Sequence, residues 1–177
     1  MHNRKEYTIQ FVGLSVGEYK YQYNIIDKFF DDFDFSEIKQ GNINIDLSLL
    51  KQSTMMVLNF KISGTVNMNC DRCTAEFNLP ISGDYKLIVK VGGAETGDED
   101  DDIITIATNE HELDLTQYIY EYITLSLPIK RVHLDDKNGE STCDKEMLNK
   151  LEHFLTEEEK EEESDPRWND LKNIKLN

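Results

Sequence analysis

The strongest constraint on the fold is a run of strict alternation that begins at Leu58 and ends at Cys70. Within this run every even-numbered residue is apolar or a thiol except Gly64, and every odd-numbered residue is polar. Because successive side chains of a strand point to opposite faces, this period of two predicts an antiparallel strand with one face buried and one in water. Gly64 is expected to mark a bulge or bend within the strand. The chain must therefore be built around a sheet.

The same alternation recurs on both sides of this run and then gives way to a helical period. Apolar residues at a spacing of three and four predict a helix that begins near Leu115 and ends before Pro128, and a second, shorter helix after Cys143. Strands followed by helices argue against alternating parallel units. We predict an α+β fold: a mostly antiparallel curved sheet or partly open β-barrel of about seven strands, with two helices and a C-terminal docking segment. The further strands are centred on Tyr7, Ile9 and Phe11; Tyr19, Tyr21, Tyr23 and Ile25; Ile43, Ile45, Leu47 and Leu49; Phe77, Leu79 and Ile81; Tyr85, Leu87, Val89 and Val91; and residues 103–107.

The chain length of 177 residues suits one domain with tails. We assign residues 1–155 to a single α+β domain, residues 156–164 to an acidic spacer, and residues 165–177 to the C-terminal docking segment. The spacer holds the charge run from Glu157 to Glu163, which is typical of a solvated helix end or a disordered connection.

The charge balance restricts the class of partner. Thirty-five acidic residues against 19 basic ones give a net charge of −16, which repels nucleic acids and anionic membrane surfaces from the chain as a whole. Any RNA contact therefore requires a local basic patch. No apolar run is long enough to cross a bilayer, and residues 1–6 lead into a strand and not into an apolar signal core, so we expect a cytoplasmic protein without a membrane partner.

All three cysteines and one of the four histidines form one candidate metal site. Cys70 and Cys73 stand in a C-x-x-C turn between two predicted strands, and His133 and Cys143 come much later. Three thiolates and one imidazole are the donor set of a closed tetrahedral zinc site, so we predict one structural zinc ion as a cofactor. The second pair has the spacing H-x9-C, which is looser than is usual in zinc sites.

Two other interpretations of these residues remain open. Cys70 continues the apolar face of its strand and suits an ordinary buried thiol, while His133 suits a hydrogen bond to a backbone carbonyl. A redox role for Cys70 and Cys73 fits less well, because reactive C-x-x-C pairs sit at a helix N-terminus and this pair is flanked by strands.

The ordered motifs resemble those of the YceD family, the large ribosomal RNA (23S rRNA) accumulation proteins of bacteria and chloroplasts. An alternating strand ends in the Cys-x-Arg-Cys turn at residues 70–73, and a helix ends in Leu125-Ser126-Leu127-Pro128. His133 and Cys143 follow, and then Asp165-Pro166-Arg167-Trp168. The resemblance covers residues 57–172. The chain departs from the family at Arg131, where many members carry a second proline, and in its longer loop over residues 135–142.

The resemblance implies a non-enzymatic accessory factor required for the accumulation or maturation of 23S rRNA in large-subunit biogenesis. It would act by binding 23S rRNA, its precursor or a large-subunit assembly protein, with no small-molecule substrate. Motifs of the common hydrolases and of phosphate-binding loops are absent from the sequence. The alternative function is a zinc-stabilised protein-interaction module with no link to RNA.

Basic residues near these motifs are the candidates for contact with RNA or a partner. From Pro166 to Asn177 three basic side chains against one acidic give a local charge of 3 − 1 = +2, and Trp168 offers a stacking surface. A lone tryptophan is more often buried, so docking on the domain is the competing prediction for Trp168. With so few positive charges, contact through a protein suits the chain better than strong binding to bare RNA. The candidates are Arg72, Lys130, Arg131, Arg167, Trp168 and Lys172.

Overall fold

The computed structural model describes residues 4–92 and 102–158, and the side chains of residues 6–92 and 102–154. A short 3-10 helix, Arg4–Tyr7, precedes the strands. Seven strands are found in the described residues, and they are β1 Thr8–Ile9, β2 Gly17–Ile26, β3 Gln40–Lys51, β4 Met55–Asn69, β5 Glu76–Val91, β6 Ile103–Ile106 and β7 Leu113–Asp114. The helices are α1 Asp27–Phe30, α2 Thr116–Leu125 and α3 Lys145–Glu158.

Five strands form one open sheet in the order β2-β3-β4-β5-β6. The pairs from β2 to β5 are antiparallel, while β6 lies parallel to β5. The strands β1 and β7 form a separate two-stranded sheet. The predicted α+β class is confirmed, and the strands described here remain an open sheet and not a closed barrel. A one-turn helix, α1, adds to the two predicted helices. The prediction that the second helix is the shorter one is wrong, because α3 continues into the glutamate run and has 14 residues against 10 in α2. The strands predicted over residues 77–81 and 85–91 form one continuous strand, β5.

The central strands β4 and β5 bury one face each, as the alternation predicts. Leu47, Phe60 and Tyr85 lie opposite one another in register across β3, β4 and β5. Tyr122 of α2 packs on Phe60 and Tyr85. The ring centroids of Tyr122 and Phe60 are 5.1 Å apart, and those of Tyr122 and Tyr85 are 4.6 Å apart. The helix α2 thus packs on the apolar face of the sheet, and the alternate residues of β4 and β5 are exposed.

Gly64 does not interrupt β4 as a bulge. Its register runs without an extra residue, with Ile43 opposite it on β3 and Ile81 on β5. A Cβ atom at position 64 would overlap the carbonyl oxygen of Asn42 and lie 2.6 Å from the Cα of Ile43. The glycine is therefore required by the close approach of β3, and the bulge expected from the sequence is wrong.

The assignments of residues 156–164 as a spacer and 165–177 as a docking segment remain predictions. The helix α3 continues to Glu158, and the rest of both segments lies outside the described residues. No helix in the described part of the chain is both long enough and apolar enough to cross a membrane.

The substitution Gly64→Ala tests the close approach of β3 and β4. Because the added methyl group meets backbone and not a flexible side chain, we expect the free energy of unfolding to fall by about 2–3 kcal/mol. Urea denaturation followed by circular dichroism measures the change. The matched control is Gly13→Ala, since a Cβ there meets nothing within 4 Å. Equal midpoints for the two variants would show that the strands adjust freely around residue 64.

Candidate metal centre

The turn between β4 and β5 holds the first two candidate ligands. The N–H of Cys70 donates to the carbonyl of Ala75, and the N–H of Thr74 donates to the carbonyl of Cys70, both at 2.9 Å. Thr74 has φ of 60°, a left-handed conformation that reverses the chain within the turn. The N–H of Arg72 lies 3.4 Å from Cys70 Sγ and donates to it. The predicted turn between two paired strands is confirmed. Its backbone donates one hydrogen bond, from Arg72, to the sulfur of Cys70.

The second pair of ligands is held against this turn by the segment before α3. The backbone N–H of Asp71 donates to the carbonyl of Arg131 at 2.8 Å, and the N–H of Arg131 donates to the Asp71 carboxylate at 2.7 Å. This reciprocal pair fixes the chain two residues before His133. His133 therefore reaches the cysteine turn although 60 residues separate it from Cys73.

The long spacing between His133 and Cys143 is taken up by a closed loop. Asp135 and Ser141 form an isolated antiparallel bridge, so the residues between them turn back on themselves. Ser141 then connects both halves of the site, because its hydroxyl accepts from Arg72 Nη1 at 3.1 Å and from the N–H of Cys143 at 3.3 Å. The H-x9-C spacing is thus compatible with a compact cluster.

The four ligand atoms have the separations of a tetrahedral zinc site. Cys70 Sγ lies 3.8 Å from Cys143 Sγ, and His133 Nδ1 lies 3.5 Å from Cys73 Sγ and 3.6 Å from Cys143 Sγ. All four atoms lie within 4.8 Å of one another. With bonds of about 2.3 Å to sulfur and about 2.05 Å to nitrogen, a regular tetrahedron has edges of about 3.8 Å between sulfurs and about 3.6 Å between sulfur and nitrogen. The residues present therefore fit zinc.

The cluster is enclosed by apolar side chains. All three cysteines are free thiols, and their side chains are buried. Phe77 stacks on the His133 ring, with 4.5 Å between the ring centroids, and so restricts its orientation. Four protein ligands in a buried setting are typical of a structural site, which leaves no coordination position for substrate or water. The other apolar side chains that pack on the cysteines are Ala75, Val132, Met147 and Leu148.

The ionisation of the thiols favours a bound cation. Burial alone raises the pKa of the Cys70 thiol, but hydrogen bonds from the backbone of Cys73 and Arg72 and from His133 outweigh it and lower that pKa from 9.0 to about 6. Burial raises the pKa of the Cys143 thiol, and the adjacent Cys70 and Cys73 add to the rise against a lowering hydrogen bond from Ser141. A first thiolate is therefore stabilised, while further thiolates repel it unless a divalent cation is present.

The structure brings some of the predicted RNA or partner residues to the edge of this cluster. Arg72 donates to Ser141, and Arg131 forms an ion pair of 2.7 Å with Glu37, so both guanidinium groups have partners within the chain. Lys130 is exposed beside Arg131. The other three candidates, Arg167, Trp168 and Lys172, lie outside the described residues. Whether any of the six residues binds RNA or a partner stays a prediction.

Sequence reasoning missed the residues that support the ligands. Asp71 and Ser141 orient the two halves of the site, and Phe77 packs on the imidazole. Phe77 follows the C-x-x-C turn on the buried face, which is the one sequence signal that could have identified it. The contacts of Asp71 with Arg131 and of Ser141 with Arg72 join residues that are distant in sequence, so they carry no local signal.

Comparison with known proteins connects this geometry to one family. A profile of the family described as "Large ribosomal RNA subunit accumulation protein YceD" matches residues 58–175, which is two thirds of the chain and includes all four ligands. Searches of curated proteins and of solved structures gave no match. The alternating strand, the cysteine turn, the helix before Pro128 and the later histidine and cysteine all fall within the matched range. The chain therefore belongs to the YceD family.

Proposed function

We propose that this protein is a non-enzymatic accessory factor in the accumulation and maturation of 23S rRNA in the cytoplasm, acting by binding the RNA or an assembly protein. The observation that carries the proposal is the family match, whose description names large-subunit ribosomal RNA accumulation. The matched range begins in β4 and includes the complete cysteine and histidine cluster. The cluster is therefore part of the region that defines the family.

A structural role for the metal supports binding over catalysis. Cys70, Cys73, His133 and Cys143 would supply all four ligands of one zinc ion, and a closed ligand set gives no site for a metal-bound nucleophile. Zinc would supply charge neutralisation for the thiolates. The chain itself supplies the positions of the ligands, because the backbone pair between Asp71 and Arg131 holds the two segments together.

The charge distribution favours an assembly protein as the immediate partner. The chain carries a net charge of −16, and Arg72 and Arg131 already bond to groups of the same chain. Ribosomal RNA presents a dense row of phosphates, which needs several cations for useful affinity. Proteins that bind such RNA are themselves basic, so an acidic accessory factor complements them electrostatically.

The first prediction of this proposal concerns zinc content. We expect one zinc ion per chain in wild type and less than about a tenth of this in Cys143→Ser, because three ligands leave the site open and weaker. Inductively coupled plasma mass spectrometry of purified protein measures it. The variant should also lose more than about 4 kcal/mol of unfolding free energy, as expected for loss of a structural metal.

The matched histidine controls separate ligation from a general effect of substitution. His133→Ala should lose zinc, whereas His111→Ala, at an exposed position outside the cluster, should keep it. Cobalt exchanged into wild type should give the intense thiolate charge-transfer absorption of a tetrahedral site. Full zinc occupancy in both Cys143→Ser and His133→Ala would exclude the four-ligand centre.

The second prediction concerns ribosomal RNA. Depletion of the protein in its native cell should lower 23S rRNA selectively relative to small-subunit RNA, as measured from total RNA and from subunit profiles of the same lysate. Wild type and His111→Ala should restore the ratio, and Cys73→Ser should not, because the metal centre holds the family's common region together.

The alternative function is a zinc-stabilised protein-interaction module without a link to RNA. It rests on the same cluster geometry and predicts one zinc ion per chain with unchanged ribosomal RNA ratios after depletion. Stoichiometric zinc together with unchanged ratios would replace the proposed function by this alternative.

A further inference from the structure

Two large apolar side chains are completely exposed in the described part of the chain. Phe35 has a relative exposure of 100 % and Ile129 of 103 %, while the neighbouring Phe29 and Phe30 are at 5 % and 1 %. Scattered apolar side chains on a surface are ordinary. Full exposure of an aromatic ring within a phenylalanine-rich segment that otherwise packs inward is not explained by the core.

Phe35 is held outward by an ordered loop. Phe33 stacks on Tyr120 of α2 with 3.9 Å between the ring centroids, which anchors one side of the loop. On the other side, the buried Ser36 hydroxyl donates to the carbonyl of Ile38 at 2.8 Å and accepts from its N–H at 3.1 Å. The residues on both sides of Phe35 are therefore fixed, which lowers the entropy cost of presenting its ring to a partner.

One ion pair joins the two segments that carry Phe35 and Ile129. Glu37 Oε2 lies 2.7 Å from Arg131 Nη1, and Phe35 and Ile129 each stand two residues before a member of this pair. Arg131 is also the residue whose backbone bonds Asp71 in the cysteine turn. The loop that presents Phe35 and the segment that presents Ile129 are thus linked through Arg131, next to the cysteine and histidine cluster.

The surroundings of the two side chains are acidic. The loop contributes Asp31, Asp32, Asp34 and Glu37, and the cysteine turn contributes Asp71. The same turn contributes Arg72, and the other segment contributes Lys130 and Arg131, so five acidic and three basic side chains give 3 − 5 = −2. Phosphates are repelled by this arrangement, whereas lysine and arginine side chains are attracted.

We propose that Phe35 and Ile129 are the anchors of a docking surface for a basic protein. The fitting partner has an apolar cleft for the two side chains and lysine or arginine residues at its rim. Interfaces of this kind concentrate their binding energy in a few apolar anchors surrounded by polar contacts. The inference rests on the proposed function in one respect: it identifies the partner as a basic protein of the large-subunit assembly and not as the RNA itself.

Site-specific photocrosslinking identifies what touches Phe35. Photoreactive benzoylphenylalanine replaces Phe35 in the full chain in its native cell, and also Phe154 as the control, since Phe154 is 66 % exposed on α3. After irradiation, large-subunit particles are purified and the adducts are sequenced by mass spectrometry. We expect position 35, and not position 154, to label a peptide rich in lysine or arginine from a protein of these particles.

Three outcomes of the crosslinking would overturn the inference. Adducts on RNA would assign the surface to a nucleic acid. Adducts within residues 165–177 of the same chain would show that the surface is covered intramolecularly. Equal labelling from positions 35 and 154, or labelling from neither, would show that Phe35 has no specific partner.

Binding of purified protein to purified large-subunit particles gives the matching energetic test. The double variant Phe35→Ser with Ile129→Ser should bind roughly thirtyfold more weakly in co-sedimentation, which corresponds to about 2 kcal/mol for the loss of anchor side chains. The control replaces Phe154 and Val16 by serine, because both are exposed apolar residues outside the surface. Wild-type binding should also weaken as salt rises, and equal binding by both double variants would overturn the inference.

The ribosomal RNA ratio separates this inference from the proposed function. If depletion lowers 23S rRNA and the Phe35→Ser, Ile129→Ser variant restores it fully with normal binding, the docking surface is wrong while the proposed function stands. If depletion leaves the ratio unchanged, the proposed function fails, and the crosslinking result from position 35 alone decides whether a basic protein docks there.

Discussion

The register of the β4–β5 hairpin is the constraint on which the rest of the structure depends. These are the two longest strands, and every residue from Met55 to Asn69 has a partner on β5. Because side chains alternate between faces, a slip of one residue would exchange the buried and exposed sets on the whole strand. Cys70, directly after Asn69, would then lose the position in which it meets Cys143. One register thus sets both the packing of the sheet under α2 and the geometry of the thiol cluster.

Much of this arrangement is encoded locally and could be predicted. The period of two from Leu58 to Cys70 predicts a strand with one buried face. The structure has this strand, β4, and α2 packs on its buried face. The helix before Pro128 is equally local in origin. The donor set of three thiols and one imidazole predicted a cluster on chemical grounds, and the structure brings the four side chains together.

The features that could not be predicted depend on contacts between distant segments. Nothing near Gly64 indicates that Asn42 of β3 approaches it closely, so the local sequence predicts a bulge or bend. The spacing from His133 to Cys143 is looser than is usual in zinc sites, and only the bridge between Asp135 and Ser141, which closes the loop, brings the two residues together. The parallel addition of β6 to β5 likewise depends on register across the sheet and has no signature in the sequence. Local patterns determine which helices and strands form, and pairing between distant segments determines how these elements are arranged.

The connection of β1 to β7 has a consequence for the order in which the chain is made. The meander from β2 to β5 pairs neighbours in sequence, so it can assemble while the ribosome is still adding residues. Thr8 and Ile9, in contrast, can pair only after Leu113 and Asp114 have been made. The cysteine turn likewise meets its last ligand only after Cys143 has been made. The first strand and the thiol turn therefore both remain incomplete until these later segments have been made. Closure of the thiol cluster therefore follows the synthesis of Cys143, and an ion held by all four ligands would mark a chain in which the whole sheet has already been made.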